Sequence, residues 1–264
     1  MTPHCSLGRR IVRDIFPPLV FLVAVIAAWH AATVAFRLPP YLVPKPAAVW
    51  SVAVERFDRL ASATGLTAAA ALAGFGMSLV AGTVIAFAFS QSRLLRSSCQ
   101  PYAVFLQTVP IVAIAPIIIT WFGYGFRSVV LVSFVISLFP IITNATTGLL
   151  AVDRELSELF QLLNATRWQT FSRLRLPNAV PWVVAGARTS SGLAVIGAIV
   201  GEFFAGYGSN RYGLGYLIRQ TSEQARTDEL FAAVIASTLL GIAIFSSVNL
   251  VSSTVLARWN VRET

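Results

Sequence analysis

The stretch DRELSELFQLLNATRWQTFSRLRLP, residues 153–177, stands between two apolar runs, Ser128 to Leu150 and Val180 to Phe204, each long enough to cross a bilayer. A plain connector would be short and unpatterned, whereas this one carries two amphipathic segments. In the first, Asp153 stands as an N-cap, and Leu156, Leu159, Phe160 and Leu163 fall at i, i+3, i+4 and i+7, on one helical face. Asn164 follows, a residue that tolerates the left-handed backbone of a helix end. In the second, Thr166 and Gln169 have capping-box spacing, Trp168, Phe171 and Leu174 share one side, and Arg167, Arg173 and Arg175 are left for the other. Pro177 is expected to stop this segment. A helix–turn–helix of this size, outside the bilayer and bounded by rigid breaks, is a handle that a partner protein can push.

The composition around this segment names the solvent. Of 264 residues, 56% are hydrophobic and only 12% charged, with a mean hydropathy of +0.73. Soluble domains carry about 25% charged residues, so water cannot be the solvent for most of this surface. Spanning helices are expected from about Pro17 to Phe36, Thr64 to Phe89, Pro101 to Phe122, Ser128 to Leu150, Val180 to Phe204 and Leu230 to Leu256. The fold class is therefore an all-α membrane protein with six transmembrane helices in one domain, residues 1–264. Its core is 62–256; residues 1–61 add the first span and an external proline-rich segment. There Pro39, Pro40, Pro44 and Pro46 precede a short helix carrying Val49, Trp50, Val52, Val54 and Phe57. Arg9, Arg10 and Arg13, ahead of the first span, read as a topological anchor, because the apolar run is longer than that of a signal peptide.

The net charge is +9, from nineteen Arg, Lys45 and eleven acids. No basic run is dense enough, or interleaved with aromatics, to make a nucleic-acid groove, and none is expected. With both termini cytoplasmic, eleven cationic residues lie inside and eight outside, which favours this orientation. Cys5 and Cys99 lack metal-ligand spacing and fall on the cytoplasmic side, where a disulfide is not expected.

The run Glu158-Leu159-Phe160, three residues, Asn164, nine residues, Leu174, one residue, Leu176-Pro177 resembles the EAA loop of ABC-importer permeases, the binding-protein-dependent inner-membrane components. That family has Ala at the positions of Leu159 and Phe160 and Gly at that of Asn164. This sequence departs at all three while keeping the acid, the Leu-Pro pair and the intervening Trp168-Gln169-Thr170-Phe171. Asn for Gly is mild where a left-handed turn is needed; two bulkier side chains for Ala imply a reshaped socket on the partner. Leu42-Val43-Pro44-Lys45-Pro46 with Val49-Trp50, and Gly201-Glu202-Phe203 with Gly213-Leu214-Gly215-Tyr216-Leu217-Ile218, are similar to permeases of the nitrate, sulfonate and taurine group. Together these segments span about residues 39 to 220.

The resemblance implies a type I importer permease in the bacterial cytoplasmic membrane, paired as a homodimer. It also implies that cytoplasmic P-loop ATPases dock on the 153–177 loop and that an external binding protein delivers the cargo. The docking residues it implies are Glu158, Leu159, Phe160, Asn164, Arg167, Trp168, Phe171, Leu174, Leu176 and Pro177. The cargo it implies is a small anion such as a sulfonate, taurine or nitrate, with a thiamine-precursor pyrimidine as the alternative. The chain has no G-x-x-x-x-G-K-[ST] run, and its single lysine is external. ATP and magnesium are thus expected on the partner, with no cofactor and no enzymatic activity in this chain.

Ionisable and polar residues within spans are candidate pathway groups. Arg188 reads first as bracing the loop or reaching the interface, Glu202 stands open between a structural and a pathway role, and Asn144 is open as well. Gln107 is expected to bond across helices as packing glue. His30 is expected to be a bonded structural histidine, since no ligand partner stands at metal spacing. A secondary carrier would show mid-span acids or matching broken helices, and a membrane enzyme would show a catalytic set such as G-x-S-x-G or H-E-x-x-H. Of the acids only Glu202 lies within or near a span and no catalytic set appears, so a stand-alone secondary transporter is the alternative and an enzyme is not expected.

Overall fold

Pro110 divides what reads as one apolar span. Its ring lacks an N–H and disfavours helical backbone at Val109, so the helix ends at Thr108 and a new one starts at Ile111. In the computed structural model, which describes residues 7–205 and 212–260, all regular elements are helical. They are α1 (Leu7–Ala35), α2 (Pro46–Glu55), α3 (Phe57–Gln91), α4 (Arg93–Thr108), α5 (Ile111–Phe122), α6 (Phe126–Leu150), α7 (Arg154–Leu162), α8 (Arg167–Thr170), α9 (Leu176–Ala205), α10 (Leu214–Glu223) and α11 (Thr227–Asn260). A single π-helical turn, Phe171–Arg175, links α8 to α9.

Among the described residues five helical stretches are long and apolar enough to cross a bilayer, and α5 is a shorter apolar helix. At 1.5 Å per residue, α5 covers roughly 18 Å of a hydrocarbon core about 30 Å thick. Of the six expected spans the third, Pro101 to Phe122, is two helices meeting at Val109–Pro110.

Two further boundaries differ. The chain does not stop at Pro177; it runs helical from Arg167 to Ala205. The N–H of Leu176 reaches back five residues to the Phe171 carbonyl, and this wider turn takes up the proline without a break. The segment between the last two spans is not a plain connector; it contains α10, which packs on α3, α9 and α11.

The core is the α3–α6–α9 layer, with α6 in the middle. Lipid offers no hydrophobic drive between helices, so close approach and interhelical hydrogen bonds must hold them. Both are present. A Cβ on Gly197 would stand 2.7 Å from the Ser133 Cα, and one on Gly82 would stand 2.7 Å from Ile141 Cγ2. Four fully buried serines then cross-link the layer. Ser137 Oγ donates to the Ser133 carbonyl (2.7 Å) and lies 3.0 Å from Ser78 Oγ, Ser133 donates to the Ala194 carbonyl (2.9 Å), and Ser190 to the Ser137 carbonyl (2.7 Å). Gly74, Gly186, Ser190 and Gly197 thus sit at helix contacts, while Gly76 and Gly192 face open space.

By contrast α1 is almost wholly exposed over Phe16–Ala35 and touches the bundle through Trp29, stacked on Phe231 at 5.6 Å. Leu19, Phe21, Leu22 and Val23 on it are left to lipid or a partner.

Candidate functional site

The 153–177 loop is folded by its own short-range chemistry. Asp153 accepts the Glu155 N–H at 2.9 Å and starts α7. Asn164 ends that unit at φ +52°. The Thr166 side chain accepts from Gln169 N (3.2 Å) while Gln169 Oε1 accepts from Thr166 N (2.8 Å), completing a reciprocal cap. Each device acts within a few residues, which makes the loop a preset shape.

Its two halves face different surroundings. Phe171 and Leu174 are buried, Phe171 edge-on to Phe87 of α3 at 4.6 Å and packed with Ala86, Ala145, Leu149 and Ala179. Leu156, Leu159, Leu162 and Leu163 are exposed, and α7 buries none of its residues. Trp168 and Leu176 are exposed too, and Phe160 and Pro177 half-buried. Glu158 pairs with Arg154 at 2.8 Å on the outer surface, and Arg167 is exposed. The arrangement is a rod rooted in the bundle at Phe171 and Leu174 that presents an uncovered leucine face at α7.

At the other end of the bundle Glu202 is buried, and its surroundings are built for it. Its Oε2 accepts from Thr67 Oγ1 at 2.8 Å and from the Gly215 N–H at 2.9 Å, while Thr67 Oγ1 accepts the Leu214 N–H at 2.9 Å. A Cβ on Gly213 would collide with this carboxylate, and one on Gly215 with the Ile199 carbonyl. The glycines flanking Leu214 therefore let the start of α10 close over Glu202. Oε1 has no hydrogen-bond partner among the described residues. Glu202 thus ties α10 to α9 and α3.

The residues are not gathered into one site. Arg188 is half-buried midway along α9, its Nε buried without a hydrogen-bond partner among the described residues, and Gly192 one turn on faces open space. Asn144 donates to the Pro140 carbonyl of its own helix at 2.8 Å. Gln107 bonds across no helix among the described residues. It is exposed, and with Ile111, Val135, Phe139 and Leu193 it lines a cavity of about 290 Å³ beside the break in the third span. His30 is exposed and its side chain makes no hydrogen bond among the described residues, so the bonded role expected for it is corrected. Cys5 lies outside the described residues, and Cys99 is a free thiol.

Against this geometry, residues 78–261 match the family described as binding-protein-dependent transport system inner membrane component. The chain belongs to that family. Over 248 residues it is 32% identical to the formylaminopyrimidine transport permease protein ThiX of Halalkalibacterium halodurans, covering 93% of this chain and 96% of that protein. Over 205 residues it is 31% identical to SsuC of Bacillus subtilis, a permease protein named for aliphatic sulfonates, covering 78% of this chain and 71% of that one. Among solved structures, the inward-facing MetNI methionine ABC transporter superposes with a TM-score of 0.58 at 18% identity, over 74% of this permease and 98% of that chain. This likeness gives the fold, that of a type I importer permease. The protein is a multi-pass inner-membrane transport subunit, not an enzyme; ATP hydrolysis belongs to a partner ATPase, and membership of the family implies an ATPase and a substrate-binding protein as partners.

One group in this permease escapes sequence reading. Glu229, at the start of α11, is fully buried, with Oε1 3.0 Å from Arg59 Nη1 and Oε2 2.8 Å from Arg226 Nη2. The Arg226 contact is an ion pair outside hydrogen-bond alignment, since Oε2 has no aligned donor. Arg59 also donates to Gln220 of α10. The cluster ties α3, α10 and α11 together. Only the acidic first turn of α11, Asp228 and Glu229, hints at it in the sequence.

Proposed function

We propose that two copies of this chain form the membrane pathway of an ATP-driven importer. In this reading both termini are cytoplasmic, and a P-loop ATPase seats on the 153–177 loop, carrying the ATP and magnesium. The supporting observation is the contrast within the loop: Leu156, Leu159 and Leu162 are uncovered on α7, while Phe171 and Leu174 fix the same unit to the spans. Glu158, Leu159, Phe160 and Asn164 then meet the ATPase, and Arg167 and Trp168 flank them. Phe171, Leu174, Leu176 and Pro177 carry its movement inward. The test is copurification in mild detergent: Glu158→Lys is expected to leave the permease inserted and to reduce ATPase recovery severalfold. Unchanged recovery would remove the loop from this role.

For the cargo, the cavity beside Pro110 supports a small planar nitrogen heterocycle. Its lining is apolar apart from the Gln107 amide, which can both donate and accept, and it contains no charge. The near full-length match to ThiX points the same way. A second reading, a small anion such as a sulfonate, taurine or nitrate, is supported by Arg188, a mid-span cation whose buried Nε has no hydrogen-bond partner among the described residues, and by the match to SsuC. Uptake into proteoliposomes holding the permease, its ATPase and its binding protein separates the two. Competition by an aminopyrimidine but not by taurine supports the first, and the reverse supports the second.

A further inference from the structure

Where α3 and α6 end beneath the loop, a cavity of about 490 Å³ is lined by Arg93, Arg96, Arg167 and Arg175. Its lining contains no Asp or Glu. None of the four forms an ion pair among the described residues; Arg175 donates to the Ser90 carbonyl at 3.1 Å. The acids of the neighbouring helix α7 do not help, because Ser157 and Gln161 are the residues it turns toward the cavity, while Glu158 is held outside by Arg154. Four guanidinium groups around one concavity repel each other and leave many donors free, an arrangement that an anion with several oxygens relieves.

The depth of the cavity narrows the choice of anion. Gln91 and Leu150, the last residues of two spans, are among its lining, which sets the cavity at the level where a bilayer's headgroups begin. Its buried lining residues are Phe89, Ser90 and Phe171, two of the three large and apolar. At the start of α4 the run Arg93-Leu94-Leu95-Arg96 puts its two arginines one turn apart. The leucines between them are exposed, Leu94 by 77%. One short helix turn thus offers cations to the cavity and leucine to hydrocarbon, which suits an amphiphile better than a free ion.

We propose that this cavity holds the phosphate of an anionic phospholipid, and that the lipid braces the loop against the ends of α3 and α6. The proposal does not depend on the cargo or on the ATPase. Its test is lipid retention by the full-length permease reconstituted in nanodiscs of phosphatidylcholine with a minor share of phosphatidylglycerol, then released and analysed by native mass spectrometry. Wild type is expected to retain phosphatidylglycerol preferentially. Each basic side chain near an anionic surface contributes roughly fivefold, so Arg93→Gln with Arg96→Gln is expected to lower that preference by about tenfold or more. Arg173→Gln removes a cation of the same loop that does not line the cavity and is expected to leave the preference in place. An unchanged preference in the double variant, or an equal loss in Arg173→Gln, overturns the proposal. So does displacement of phosphatidylglycerol by millimolar inorganic phosphate, which would make the occupant a soluble anion.

Discussion

Oγ1 of Thr67 in α3 lies 2.8 Å from Oε2 of Glu202 in α9, and the same Oγ1 accepts the Leu214 N–H at the start of α10. One hydroxyl therefore joins three helices and supplies a donor to a buried carboxylate. Thr67→Val keeps the shape and removes both functions. Leaving a buried acceptor short of a donor costs about 1–3 kcal/mol, so the melting temperature in detergent is expected to fall clearly, with Thr67→Ser close to wild type. Equal melting of the valine variant and wild type would show that the hydroxyl contributes nothing.

Glycines of similar appearance in the sequence are expected to behave in opposite ways. At Gly197 a Cβ meets the Ser133 backbone at 2.7 Å, and backbone cannot swing aside as a side-chain tip can. Gly197→Ala is expected to force α9 off α6 and lower the yield of monodisperse protein, at a cost of about 1–3 kcal/mol from overpacking. Gly76→Ala and Gly192→Ala meet nothing within 4 Å, and each removes a helix-weakening glycine, worth up to about 1 kcal/mol of propensity. Both are expected to be neutral or stabilising by size-exclusion profile after heating. A loss at Gly192 equal to that at Gly197 would refute this ranking.

What the sequence made legible was local. Asp153, Asn164 and the Thr166–Gln169 pair act within four residues of their partners, so their spacing in the chain was sufficient to place them. Proline was harder, because its effect depends on what surrounds it. Pro101, Pro116, Pro140 and Pro181 stand inside helices, and Pro177 is carried through by the π turn, while Pro110 ends one helix and starts the next. The candidate pathway residues were legible only as exceptions to an apolar run. Whether Glu202 faces a channel or a helix end depends on Gly213 and Gly215 coming back over it, and whether Ser78 meets Ser137 depends on how two helices are rotated. Glu229 and Arg59 are 170 residues apart in the chain, and no periodicity joins them.

The cluster around Glu229 gives a prediction with a definite order of effects. The carboxylate is 2% exposed, whereas Arg59 and Arg226 are 34% and 39% exposed. Glu229→Gln leaves two cations that water can still reach, and a cost of about 1.5–3 kcal/mol is expected, the range of a hydrogen bond to a charged group. Arg59→Gln with Arg226→Gln leaves a buried charge uncompensated, a situation that costs about 3–5 kcal/mol. The double arginine variant is therefore expected to melt well below Glu229→Gln. The opposite order would mean that the arginines, not the acid, are the groups the fold has to neutralise.

Leu159 and Phe171 belong to the same loop, yet substitution is expected to separate two steps of coupling. Leu159 lies on the open face of α7 and is 47% exposed, so Leu159→Asp leaves the core intact and puts a charge on the face proposed to seat the ATPase. ATPase copurification is expected to drop while the permease melts as wild type. Phe171 is buried against Phe87 and the ends of α3, α6 and α9. Phe171→Ala opens a cavity costing about 3–5 kcal/mol, and Phe171→Leu, which loses less volume, keeps the protein folded if alanine does not. In either variant the α7 face is untouched. The ATPase is expected to stay bound and to hydrolyse ATP at its basal rate, while stimulation by the loaded binding protein and cargo uptake fall together. If Phe171→Leu instead sheds the ATPase as Leu159→Asp does, the buried half of the loop serves docking as well, and the division between seat and root is wrong.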